Sequence, residues 1–252
     1  MTNKYDNIFI ILNESYPNFK NKSLNEKLFQ KIIGNNQNQI VVSKFKKNWN
    51  KKYSKQGAEL NLFCGDNDNF FEFKKKNLEN FINDNDCYFK NYKKLNKTFI
   101  HSYKLNSFNR GRYSGFFDKI YTLDNLKDLN IKMCDGSFYA ICDHLLLDHI
   151  RELAFKENNL VIFLTVNNHI PPALILETDL VNCKDHHPLN INQNICYSFH
   201  NQALFNSSLS NFISKLKKNE LLLFYSDTPP LFPVRERIHF EDYIDVYTFE
   251  KK

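Results

Sequence analysis

The sequence predicts an α/β fold in which a mostly parallel sheet is covered by helices on both sides, and three observations predict it. Short apolar or β-branched runs recur along the chain, each bounded by polar residues. Segments with helical spacing of apolar residues lie between them. Four of the runs lead straight into polar residues of catalytic type, as strands do at the ligand-binding rim of an open parallel sheet. A length of 252 residues with 42% hydrophobic content is enough for one well-buried core.

Residues 7–12 form the first strand, running into Asn13-Glu14-Ser15-Tyr16-Pro17, and residues 39–42 form the second. A helix is predicted to open at Ser54, a natural N-cap residue, and to continue through Phe63. Residues 98–102 form the third strand, in which Phe99-Ile100 leads to His101. Residues 142–156 read as a helix, with Leu146, Ile150 and Leu153 on one face. The strand at 160–166 leads to Asn167-Asn168-His169. A helix over 201–217 aligns Phe205, Leu209, Phe212 and Leu216. The strand at 221–225 leads to Ser226-Asp227-Thr228, and a last strand falls near 242–249. No repeat, low-complexity tract or Pro/Gly-rich linker interrupts the pattern, so residues 1–252 are expected to form a single domain.

A formal net charge of +6 raises nucleic-acid binding. Lysine and asparagine are spread along the whole chain and no nucleic-acid motif accompanies them, so none is expected. A basic rim would suit an anionic substrate or association with an acidic membrane surface. No apolar run is long enough to cross a bilayer, and the N-terminus enters a strand directly, so neither a signal peptide nor an anchor is expected. By this criterion a cytoplasmic location stays open. The six cysteines fall into near pairs, Cys64 with Cys87, Cys134 with Cys142 and Cys183 with Cys196. Their number fits three short disulfide loops or six reduced, buried thiols equally well, and no CxxC spacing suggests zinc.

Glu14 and Asp227, carboxylates at strand ends, have the chemistry to ligate a divalent cation, although each also reads as an ordinary turn residue near proline. His169 precedes Ile170-Pro171-Pro172, a stiff segment that suits binding a phosphoryl or sulfuryl oxygen or protonating a leaving group. Asp185-His186-His187 lies in a polar loop and reads as surface. Ser54 is a candidate hydroxyl nucleophile at a helix start, where free N–H groups attract anions, and equally a plain cap.

Taken in order, these segments resemble the sulfatase-like, alkaline-phosphatase-superfamily proteins that include lipid-dependent phosphoglycerol and phosphoethanolamine transferases. The resemblance spans about residues 8 to 240. Its motifs are Asn13-Glu14-Ser15-Tyr16-Pro17, Gly57-Ala58-Glu59-Leu60-Asn61-Leu62-Phe63-Cys64-Gly65, and His101 through Phe108-Asn109-Arg110 to Tyr113-Ser114-Gly115-Phe116. Further along come Cys134-Asp135-Gly136-Ser137-Phe138 with Cys142-Asp143, then Asn168-His169-Ile170-Pro171, then Ser226-Asp227-Thr228-Pro229-Pro230-Leu231-Phe232. The resemblance implies a three-layer sandwich with a mostly parallel central sheet. It also implies a divalent metal (Mn, Mg or Zn), a covalent phospho-enzyme, and an anionic glycan or phospholipid-type substrate outside the cytoplasmic membrane. Glu14, Asp227 and position 228 would hold the metal, while His101, Arg110 and His169 would line the substrate site. Three positions depart from the pattern: the nucleophilic threonine falls on Lys55, with Ser54 beside it, the metal-binding histidine is Thr228, and the glycine after the first site histidine is Ser102. The alternative to an altered enzyme is a non-catalytic relative that binds a glycan or phosphoester, with no metal.

Overall fold

The computed structural model describes residues 4–48, 55–65, 69–174 and 181–252. Its strands are β1 (Asn7–Asn13), β2 (Ile40–Asn48), β3 (Asn96–His101), β4 (Lys119–Tyr121), β5 (Met133–Cys134), β6 (Ala140–Ile141), β7 (Asn159–Leu164), β8 (Glu220–Ser226) and β9 (Tyr243–Lys251). Its helices are α1 (Lys22–Ile33), α2 (Lys55–Cys64), α3 (Phe70–Lys75), α4 (Leu78–Asp84), α5 (Leu123–Leu126), α6 (Asp143–Leu146), α7 (Ile150–Leu153), α8 (Gln193–Ser214) and α9 (Val234–Arg237).

Seven strands form the central sheet in the order β2-β9-β8-β1-β7-β3-β4. The run from β8 to β4 is parallel throughout, and β9 and β2 add an antiparallel margin. The fold is therefore α/β with a mostly parallel sheet, as the sequence predicts.

Side chains alternate across the sheet, and both sets are apolar, so helices must cover both faces. Phe9, Ile11, Val161, Phe163, Leu222 and Phe224 face α1 and α8. Ile8, Ile10, Leu12, Leu160, Ile162 and Leu164 face the other way, toward α2, α3 and α4. Three layers result. Leu24, Leu28 and Ile32 recur at helical spacing on α1 and are buried, while Asn21 caps its start by accepting a bond from the Ser23 N–H. At the other end Gly34, at φ 50°, returns its N–H to the Gln30 carbonyl.

Several boundaries differ from the sequence expectation. The second strand does not stop at residue 42 but continues to Asn48, because β9 offers it an antiparallel partner along its full length. The helix expected over 142–156 is two short α-helical pieces joined by a 3₁₀ turn, Leu147–His149. The helix expected to start at residue 201 starts at Gln193, where Asn192 caps the Asn194 N–H. The three near pairs of cysteines are disulfides, Cys64–Cys87, Cys134–Cys142 and Cys183–Cys196. No described helix is long and apolar enough to cross a membrane.

Candidate functional site

Parallel pairing brings the sequence-predicted residues to one edge. Leu12 lies beside Tyr225 on β8 and Leu164 on β7, and Leu164 lies beside His101 on β3. Four neighbouring strands therefore end at one level, and the residues that follow them face a common rim.

Glu14 and Asp227 leave adjacent strands, β1 and β8, and both are buried. Between them Ser15 takes a left-handed backbone conformation, φ 52°. Its N–H donates to Asp227 Oδ1 at 2.9 Å, and its hydroxyl donates to Glu14 Oε1 at 2.9 Å. The Thr228 N–H, at 2.5 Å, and its hydroxyl, at 3.1 Å, both donate to Asp227 Oδ1. The Glu14 N–H donates to Thr165 Oγ1 at 2.8 Å, and Asn168 Nδ2 donates to the Ser15 carbonyl at 3.1 Å, tying in the loop after β7.

His101 ends β3 in full burial. Its Nδ1 lies 3.2 Å from the Leu164 carbonyl, which only accepts, so Nδ1 carries the proton. Its Nε2 lies 3.2 Å from Arg110 Nη1, which only donates, so the ring is the neutral Nδ1–H tautomer. Arg110 in turn donates from Nη2, at 2.6 Å, and from Nε, at 3.2 Å, to Glu59 Oε1 on α2. The Tyr113 hydroxyl bonds the other Glu59 oxygen. Arg110 and Glu59 expose only 2% and 3% of their side chains, so they form a buried ion pair.

His169 is half-buried on the loop after β7, its Nδ1 donating to the Ile170 carbonyl at 3.0 Å. Its ring packs edge-on against Phe138, with centroids 4.7 Å apart. Beneath the rim, Asp143 at the start of α6 accepts from Ser102 Oγ (2.5 Å), the Val166 N–H (2.8 Å) and the Asn167 N–H (2.6 Å). It thereby joins the ends of β3 and β7. Complete burial pushes its carboxyl up to about 6, and the three donors oppose that rise.

Lys55 is the first residue of α2; Ser54 lies outside the described residues. Glu59, Tyr113 and Asp143 were not assigned roles from sequence. Glu59 and Asp143 stand in the motifs quoted above, as acidic residues beside Ala58 and Cys142, and the fold brings them into contact with site residues. Asp185-His186-His187 is a surface loop, as expected.

Glu14 and Asp227 are hard oxygen donors and fit a hard divalent cation such as Mg or Mn. The described group with metal-like spacing, Cys183, Cys196 and His200, lies elsewhere, and its two sulfurs are joined to each other.

Three solved structures share this architecture. Phosphoglycerol transferase GacH from Streptococcus pyogenes, in complex with sn-glycerol-1-phosphate, superposes with a TM-score of 0.71 at 18% identity, over 100% of this chain and 69% of that one. An alkaline phosphatase superfamily protein from Vibrio parahaemolyticus gives 0.55 at 14% identity, over 96% and 60%. This chain shares the fold of that alkaline phosphatase superfamily protein. The C-terminal periplasmic domain of EcEptC from Escherichia coli, in complex with Zn, gives 0.60 at 12% identity, over 98% and 73%. The chain spans 60–73% of the length of these three structures. No protein-family model matches the chain. No curated protein sequence matches it either.

Proposed function

We propose that this chain is a single sulfatase-like catalytic-type domain that transfers or hydrolyses a phosphoester or sulfoester of a cell-envelope glycan or lipid head group. The observation that carries the proposal is the convergence of Glu14, His101, His169 and Asp227, from four neighbouring parallel strands, on one sheet edge. The solved neighbours include a phosphoglycerol transferase with bound sn-glycerol-1-phosphate and a zinc-bound periplasmic domain, and both support the reading. Three disulfides favour an oxidising, extracytoplasmic setting.

Glu14 and Asp227 would hold the divalent cation, with Thr228 bracing Asp227 rather than acting as a ligand. When bound, such an ion supplies Lewis-acid stabilisation of phosphoryl oxygens and acidifies a coordinated hydroxyl. Ser54 would attack phosphorus, the leaving alcohol would depart, and an acceptor hydroxyl or water would then release the group from Ser54. Arg110, held by Glu59 and His101, would bind a non-bridging oxygen, and His169 would offer Nε2 for proton exchange with a leaving or attacking oxygen.

A second reading, a non-catalytic member that binds a glycan or phosphoester, is favoured by the commitment of Thr228 Oγ1 to Asp227 and by Lys55 at the nucleophile position. A phosphodiesterase assay separates the two. Turnover that is lost in Ser54→Ala supports catalysis, whereas turnover that appears only in Lys55→Thr supports the binding reading. Stoichiometric manganese or magnesium, lost in Glu14→Ala, would support the metal assignment.

A further inference from the structure

A chain of four rings links the two site histidines. His101 and Tyr103 have centroids 6.5 Å apart, Tyr103 and Phe138 4.8 Å, and Phe138 and His169 4.7 Å. Tyr103 and Phe138 are half-buried, and the adjoining Tyr139 exposes 63% of its surface.

The mounting of these rings is unusually firm for a surface loop. Phe138 and Tyr139 sit between β5 and β6, a hairpin closed at its base by Cys134–Cys142. The Ser137 N–H and hydroxyl both donate to the Pro171 carbonyl, at 3.0 and 2.8 Å, and the Leu174 N–H donates to the Asp135 carbonyl at 2.8 Å. Gly136 packs so closely that a Cβ there would lie 2.7 Å from Ala173 Cα. The hairpin is therefore fastened to the loop that carries His169.

We infer that Tyr103, Phe138 and Tyr139 form a ring-stacking subsite for a pyranose of the substrate or acceptor, next to the phosphoryl-binding rim. Fixed aromatic rings recognise the C–H face of a sugar at little entropic cost. Asp135, exposed on the same hairpin loop, adds a carboxylate that hydrogen-bonds hydroxyls, a pattern that suits a sugar better than an acyl chain. The position beside the rim rests on the proposed function; recognition of the sugar does not.

The test is saturation-transfer NMR on the oxidised chain with three probes: methyl β-glucopyranoside, sn-glycerol-1-phosphate and octanol. The glycoside is expected to bind and to bind about tenfold more weakly to both Tyr139→Ala and Phe138→Leu, while glycerol phosphate is unaffected by Tyr139→Ala. Absence of glycoside binding, equal binding by both variants and wild type, or preference for octanol would each overturn the subsite. If glycoside binding is absent while glycerol phosphate still binds, the subsite fails and the proposed function stands. If glycerol phosphate alone fails to bind, the reverse holds.

Discussion

Glu59 on α2 and Arg110 on the 3₁₀ turn after β3 meet in a buried ion pair 2.6 Å long, and Arg110 passes its remaining orientation to His101. The pair joins a helix on one face of the sheet to the strand end that carries a site histidine. It also cancels most of the guanidinium charge inside the protein, so the Arg110 orientation, more than its net charge, is what the site gains.

Glu59→Ala should destabilise the fold by about 3–5 kcal/mol, because it strands a buried guanidinium and leaves the Tyr113 hydroxyl without its acceptor. Glu59→Gln should cost less, since the amide oxygen still accepts one bond. Chemical denaturation of the two variants checks the order, and equal losses would contradict the pairing.

Asp143 predicts a pH dependence whose sign follows from burial. Its carboxyl ionises at the ordinary value of 3.8 when unfolded and at about 6 when folded, so the folded state prefers the protonated form. Stability from this group is therefore full below about pH 4 and is lost as pH rises through about 6, by roughly 3 kcal/mol in all. Urea melts at pH 4, 5 and 6.5 should show wild type losing about 2 kcal/mol of this relative to Asp143→Asn, whose side chain does not titrate. Parallel curves for the two proteins would refute it.

Gly136→Ala should cost about 1–3 kcal/mol, since the new methyl meets backbone atoms of Ala173 at 2.7 and 2.8 Å and neither can yield cheaply. Amide hydrogen exchange should rise in the hairpin and in residues 167–174 together. A rise confined to the hairpin would mean that the two loops are not fastened.

A chain of buried amides runs behind the rim: Asn13 donates to Gln202 at 2.7 Å, Gln202 to Asn206 at 2.7 Å, and Asn206 to the Leu28 carbonyl at 2.9 Å. Gln202→Leu leaves one donor and one acceptor buried without their partner, so a loss of about 2–4 kcal/mol is expected in thermal or urea unfolding. A neutral result would show that the network relaxes around the substitution.

Four of the five parallel strands, β1, β3, β7 and β8, and their polar ends were legible because strands covered on both faces read as continuous apolar runs, as in Ile8-Phe9-Ile10-Ile11-Leu12, whereas the three-residue β4 is too short to give such a run. The first eight residues of α8 were not legible, because Ser198 and His200 are buried there beside Ile195 and Phe199, which blurs the periodic signal. The continuation of β2 through Lys44 and Lys46 was hidden for a different reason. A margin strand takes its structure from its partner, and that partner, β9, lies about 200 residues away in sequence. At the site, Glu14, His101, His169 and Asp227 could be read from strand ends, whereas the Glu59–Arg110 contact depends on how α2 lies across the sheet. No local pattern encodes that placement.

Among the described residues β2 has a hydrogen-bonding neighbour on one side only, and Lys44 and Lys46 share one of its faces, Lys44 paired with Asp245 at 2.8 Å and Lys46 lying 4.3 Å from the centre of the Tyr243 ring. A second copy pairing along this border would have to accommodate long charged side chains next to its own strand. Such charged side chains on a border strand discourage the open-ended stacking of chains that a flat, uncharged border of nine residues would invite. The same lysines that give the chain its basic character thus help to keep its copies apart.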